Sequence, residues 1–191
     1  MGYLRGFVPW IVSGAVSSFD WRWGALGGLA SGLLLLLQDR RRGVGLDALV
    51  LEVSAVVYFA AVGAVALAAP HAALSKPAGI LSFAWLAVTA WGSLALRRPF
   101  TLGIARRRTP REYWDRPEFI AVNNRITAAW GAGFTFIGVS LAVGGAVHAP
   151  AWVGIAAHVA GLAGPAVFTR VHPARARARL LARAVPVPQE Q

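Results

Sequence analysis

Glu52 and His158 sit within otherwise apolar stretches, "LDALVLEVSAVVYF" and "VGIAAHVAGLAG". A carboxyl or an imidazole in such surroundings can relay protons, act as an acid or bind a cofactor. Asn123, Asn124 and Arg125 form a third polar group, where a basic segment meets the next apolar run. These five residues make up the candidate intramembrane polar site. Each also has a structural reading. Glu52 lies only about 7–8 Å along a helix from Asp47, close enough to the edge of its run to reach a nearby arginine. Arg125 is the expected partner. His158 can equally be a neutral ring hydrogen-bonded between helices. No second histidine lies at comparable depth for a bis-histidine haem, and no lysine lies within an apolar run to form a retinal Schiff base. Neither a cofactor nor a metal is expected.

The basic segment itself, "RRPFTLGIARRRTPREYWDRPEFIAVNNRIT", holds Glu112, Asp115 and Glu118 beside eight arginines. Grouped carboxylates can perform acid–base chemistry or hold Mg²⁺. Here they alternate with Arg111 and Arg116, the pattern of a solvated mixed-charge face. No phosphate-binding Gly-rich loop or nucleophile elbow accompanies them. The arginines are not interleaved with stacking aromatics, so nucleic acid is not an expected partner. The balance leans away from an enzyme. Trp114, Arg106, Arg107 and Arg108 are instead expected to face the lipid interface, where indoles and cations gather.

The elements that must position these residues follow from composition. Of 191 residues, 57% are hydrophobic and only 14% charged, against roughly 25% charged in an average soluble domain. A soluble chain of this size cannot hide so much apolar surface, which indicates an integral membrane protein. The absence of cysteine excludes disulfides, thiolate nucleophiles and Fe–S ligation. Six apolar runs, near 7–19, 22–37, 46–70, 77–96, 126–147 and 150–168, predict an all-α, polytopic transmembrane helical bundle. The first run is short, contains Pro9 and is suited to a half-span. Arg5, that run and Ala15-Val16-Ser17 also resemble a secretory leader, although a second apolar run follows at once.

Alternating six spans gives a test. With the N-terminus inside, one side receives Arg5, Arg40–Arg42, the eight arginines of 97–125 and five between Arg170 and Arg183, leaving only Arg22 and Lys76 outside. Lys and Arg crowd the cytoplasmic side of membrane proteins, so both termini are expected there. The expected organisation is a transmembrane domain over 1–170 with a basic loop at 97–125, then a basic, partly disordered tail over 171–191. In that tail Arg175, Arg179 and Arg183 would share a helical face suited to a membrane surface. Gly24, Gly28 and Gly32 recur every fourth residue. Such a stripe admits close helix approach, either within the bundle or between two copies.

Short motifs along residues 6–168 resemble the intracellular septation protein A family (the YciB-type inner membrane-spanning proteins). They are "GFVPW" at the first run, Lys76-Pro77 before the fourth, Arg98-Pro99-Phe100 after it, and Trp114, Asn123 or Asn124, and Trp130 leading into the fifth. The longer basic loop, the Ala/Val-rich third run and the arginine tail depart from that pattern. The resemblance implies a bacterial inner-membrane protein of envelope maintenance and septation. Its expected action is non-enzymatic, by binding anionic lipid or other membrane proteins, with a homo-oligomer also compatible. Two rivals remain open on the residues alone: a small-molecule or ion transporter with a polar path past Glu52 and His158, and an intramembrane enzyme acting on a lipid or isoprenoid.

Overall fold

In an apolar medium, runs of Leu, Ala and Val can satisfy their own backbone N–H and C=O groups by forming α-helices. The computed structural model describes residues 2–69, 77–107 and 109–184, with side chains over 5–46, 48–69, 77–107 and 109–174. All regular structure among these residues is helical, an all-α bundle. Its helices are α1 (Gly2–Ser17), α2 (Trp21–Arg41), α3 (Val50–Ala68), α4 (Ala78–Ala95), α5 (Phe100–Arg106), α6 (Pro117–Ala146) and α7 (Ala151–Ala184), with 3-10 turns at Leu46–Ala48 and Arg111–Tyr113. Four helices are long and apolar enough to cross a membrane: α3, α4, α6 and residues 151–174 of α7. α1 has 16 residues, fewer than the roughly 20 a span needs. α2 has 21, but Arg22 and the polar Gln38–Arg41 end lower its hydropathy. Large apolar side chains such as Val57, Val88, Val139 and Ile155 face outward.

Local signals set the helix ends. Asp20 caps α2 by accepting the Arg22 amide at 2.8 Å. It also pairs with the Arg22 guanidinium at 2.7 Å. These hydrogen bonds hold the Asp20 carboxyl below its ordinary range, chiefly through the Arg22 side chain. Pro117, whose fixed φ suits a first helical position, opens α6. α2, α4 and α6 all end in a left-handed residue, respectively Gly43 (φ 76°), Arg97 (φ 56°) and His148 (φ 53°). At each of these ends a following N–H turns back to the last turn: Val44 to Asp39 O at 3.0 Å, Arg98 to Ser93 O at 2.8 Å, and Ala149 to Gly144 O at 2.8 Å.

The long helices pack as two triads. α2 lies between α1 and α3, and α6 lies between α4 and α7. The Gly24/Gly28/Gly32 stripe works inside the first triad. A Cβ at Gly28 would come within 2.7 Å of the Phe59 ring, and one at Gly32 within 3.3 Å of Val56 and 3.7 Å of Pro9. In the second triad Gly133 and Gly161 bring α6 and α7 into backbone contact, with a Cβ on Gly161 only 2.9 Å from Gly133 O. The seam between α3 and α4 is polar instead. Ser54 and Thr89 hydroxyls meet at 2.5 Å, Trp85 Nε1 donates to Ser54 Oγ at 2.8 Å, and the Tyr58 and Ser82 hydroxyls meet at 3.0 Å. Hydrogen bonds of this kind between membrane helices average about 0.6 kcal/mol.

The expected basic loop 97–125 is largely structured. Phe100, Thr101, Leu102 and Ile104 are buried, so α5 is wedged into one end of the bundle rather than lying on its surface. α6 starts at Pro117, a residue suited to the first helical turn, nine residues before the expected run, and its first buried residue is Asn123. At the other end of the chain, α7 continues to Ala184, across the boundary expected at 170. The side chains of Arg175, Arg179 and Arg183 fall outside the described residues.

α5 can sit this deep because Gly103 has no side chain. A Cβ there would lie 2.5 Å from the Ala48 Cα and 2.9 Å from its carbonyl. Both neighbours are backbone and cannot rotate away. Gly103→Ala is therefore expected to cost about 1–3 kcal/mol through overpacking, seen as a lower midpoint of unfolding in detergent. Gly92→Ala, where a Cβ meets nothing within 4 Å, should leave that midpoint unchanged or raised.

Candidate functional site

The ends of four elements converge below α5, and each brings a charge. Asp39, in the last turns of α2, is 2% exposed. It pairs with Arg5 of α1 at 3.2 Å, with Arg107 at the end of α5 at 3.2 Å, and with Arg42 at 3.8 Å. Arg5 also donates to Gln38 Oε1 at 3.0 Å. Arg107 reaches Glu52 Oε1 of α3 at 3.6 Å and donates to the Ala48 carbonyl at 3.1 Å. Three cations and two buried carboxylates thus tie α1, α2, α3 and α5 together. Gly6 clears the space: a Cβ there would lie 2.8 Å from Leu51 and 3.8 Å from Glu52 Oε1.

This arrangement corrects the expected pairing of Glu52 with Arg125. Asn123, Ile126, Thr127 and Trp130 form the buried face of α6. Helical periodicity then turns Asn124 and Arg125 outward, and both are exposed. The Asn123 side chain donates to the Phe119 carbonyl of its own helix at 2.8 Å, and the Asn123 backbone carbonyl accepts from Thr101 at 3.0 Å. The Thr101 hydroxyl also meets that of Thr127 at 2.7 Å. Thr101 therefore docks α5 on α6, and Asn123 lies buried at that contact rather than beside Glu52. The other expected interface residues are likewise engaged in the protein. Trp114 donates to the Thr109 carbonyl at 2.9 Å, with Arg106 and Arg111 over its ring at 5.2 and 5.6 Å. Arg107 belongs to the ion network, and Arg108 lies outside the described residues.

His158 lies elsewhere. Its Nδ1 is 2.7 Å from the Gly154 carbonyl, and its ring meets Phe83 edge to face at 5.0 Å. A carbonyl can only accept, so Nδ1 carries a proton. His158 lines a cavity of about 600 Å³ between the triads, bounded by α1, α4, α6 and α7. Glu52 is not among the lining residues. Phe7, Trp130 and Phe134 pack together with centroids 5.2–6.0 Å apart, on the side of the cavity towards the ion network. The two ionisable candidates therefore do not open into one void. Among the described residues, no three His, Asp or Glu side chains gather as they would around a metal.

Sequence reasoning passed over Asp39, Arg5 and Gln38. A signal was present: an acid directly before three arginines, in "LLLLLQDRRR", at the same predicted end as Arg5. The cavity left no such trace, because its aromatic lining reads as ordinary core. No protein-family model, curated protein or solved structure matches the chain. The site defines its class through its own geometry: a helical membrane protein with an ion-paired basic end and an apolar cleft between two helix triads.

Removing the central carboxylate strands Arg5 and Arg107, whose side chains are 29% and 27% exposed. Breaking a fully buried pair costs 3–5 kcal/mol, and partial exposure lowers that figure. Asp39→Ala should thus destabilise the protein by about 2–3 kcal/mol in denaturant titration in detergent. Arg125→Ala should change stability by less than about 0.5 kcal/mol. Equal effects of the two would contradict the network.

Proposed function

We propose that this chain is a non-enzymatic protein of the bacterial cytoplasmic membrane, acting in envelope maintenance or septation by binding anionic lipid and membrane partners at its basic end. The observation that carries the reading is the distribution of charge around an apolar bundle. After Arg5 and Arg107 are drawn into the ion network, Arg41, Arg98, Arg111, Arg116 and Arg125 remain exposed at that end. At the opposite end Arg22 is neutralised by Asp20. Membrane proteins keep their cations inside, so the basic end is assigned to the cytoplasm together with both termini. There it faces the anionic leaflet surface, which attracts each nearby Lys or Arg by about 1 kcal/mol.

The envelope and septation part rests on the resemblance to the septation protein A family. Its motif residues have identifiable work in the fold. Pro9 packs on Gly32, Pro99-Phe100 starts α5, the buried Asn123 side chain bonds back to Phe119 within α6, and Trp130 donates to Thr169 at 3.1 Å. Pull on lipid and support of the bundle thereby fall to different residues. The ends of the 97–125 segment hold the fold, while the outward arginines meet the membrane.

Arg41, Arg98 and Arg125 can be replaced without touching the network. The triple alanine variant should bind phosphatidylglycerol about 100-fold more weakly at low salt, measured by lipid competition in nanodiscs. Added salt should shrink the difference by screening. The same variant should fail to restore normal cell length in a strain lacking the chain. Unchanged anionic-lipid binding together with an unchanged set of co-purifying membrane proteins would overturn the reading.

A further inference from the structure

We infer that the cavity between the triads is a binding site for an uncharged long-chain alcohol, of the class that includes isoprenoid alcohols and diacylglycerol. The chain would lie between α1 and α7, with its hydroxyl held near His158. The cavity, about 600 Å³, lies within the range of ligand pockets. Among the described residues no Asp, Glu, Lys or Arg lines it, and its polarity is graded. Ser13, Ser17 and Ser82 line the end away from the ion network, one helical end of α1 and of α4. Further in, the wall is aromatic and aliphatic, ending at Trp130 and Phe134. That gradient matches a molecule with a small polar head and a hydrocarbon body.

Three observations narrow the occupant. The wall between α1 and α7 is open, with Ile11 59% and Leu162 37% exposed, so a chain can enter sideways from a bilayer. The His158 Nδ1 is committed to the Gly154 carbonyl at 2.7 Å, which leaves Nε2 for a hydroxyl, a group that can both donate and accept. Among the described residues no arginine or lysine lines the space, so a phosphate head there would meet no cation from them and carry a high desolvation cost. A phospholipid therefore suits the basic end, and a neutral alcohol suits the cavity.

The test uses the full chain in phosphatidylcholine nanodiscs, labelled with a photoactivatable hexadecanol. Saturable labelling is expected within Phe7–Ser17, the start of α4 and His158–Ala166. Hexadecanol should compete, while hexadecane and phosphatidylglycerol should compete poorly. Gly14 lines the cavity and a Cβ there meets nothing within 4 Å, so Gly14→Leu starts its side chain in open space and takes up ligand volume. It should reduce labelling roughly tenfold or more by occupying the ligand's volume, whereas Gly92→Leu should not. His158→Ala should weaken hexadecanol about threefold to tenfold, the worth of one hydrogen bond, and leave hexadecane unaffected. Labelling spread evenly over outward residues such as Val57 and Val139 would overturn the proposal. So would wild-type labelling of Gly14→Leu, or equal competition by hexadecane or phosphatidylglycerol.

Discussion

Asp39 carries a negative charge into a place where water is nearly excluded, and the basic end of the molecule is organised around that fact. A carboxylate with 3% of its side chain exposed is tolerable only when counter-charges surround it. No single helix can supply them, because the end of α2 presents only its own Arg42 in reach. Arg5 must come from α1 and Arg107 from α5, each at 3.2 Å. Arg107 then spans to Glu52 of α3. The pairing converts a set of helix ends, which lipid-facing apolar contact alone would leave free to slide, into one register. Attraction between apolar helices is weak in a hydrocarbon solvent, so a directional charge cluster at the boundary carries much of that specification.

The wedge of α5 depends on the same cluster. It is only 7 residues long, too short to be stable alone. Its apolar face is buried against α6 and the Leu46–Ala48 turn, and its C-terminal Arg107 is held by two carboxylates and a carbonyl. Thr101 secures the other side through Asn123 and Thr127. With α5 in place, the core of Leu51, Leu86, Phe100, Ile126 and Trp130 closes the interior at the basic end. Away from it, the triads meet along the hydrogen-bonded α3–α4 seam, and the cleft lined by His158 remains between the other faces. Charge pairing closes one end of the bundle, and the cleft lies between α1, α4, α6 and α7 away from it.

Residues whose placement follows from local pattern were legible. The six apolar runs correspond to α1–α4, α6 and α7, since hydrophobic length reports helices directly. The Gly24/Gly28/Gly32 spacing showed a close-packed face, although not which helix would occupy it. Phe59 of α3 and Pro9 of α1 settle that in favour of packing within the bundle. Glu52 was legible as a buried carboxylate needing an arginine, but not its partner. Sequence distance and predicted depth pointed to Arg125; rotation about the α6 axis turns that residue outward and leaves Arg107 nearest. The buried α5 was hidden in a segment whose arginines suggested a solvated loop, because "FTLGIA" is too short to register as an apolar run.

The sequence by itself determined the apolar, helical character of the chain and where along it the arginines gather. Apolar runs of this length require helices in a bilayer-like medium, and the segregation of arginine gives the bundle one basic end. Both are properties of local composition, which survive any arrangement of the helices. Tertiary structure alone decided which charges meet, where the backbone approaches closely enough to demand Gly103, and that His158 borders a cleft Glu52 does not reach. These depend on the rotation and separation of helices whose contacting residues lie tens of positions apart. An ion pair or a cavity wall is a relation between such residues, fixed by distances of a few ångströms that no single segment encodes.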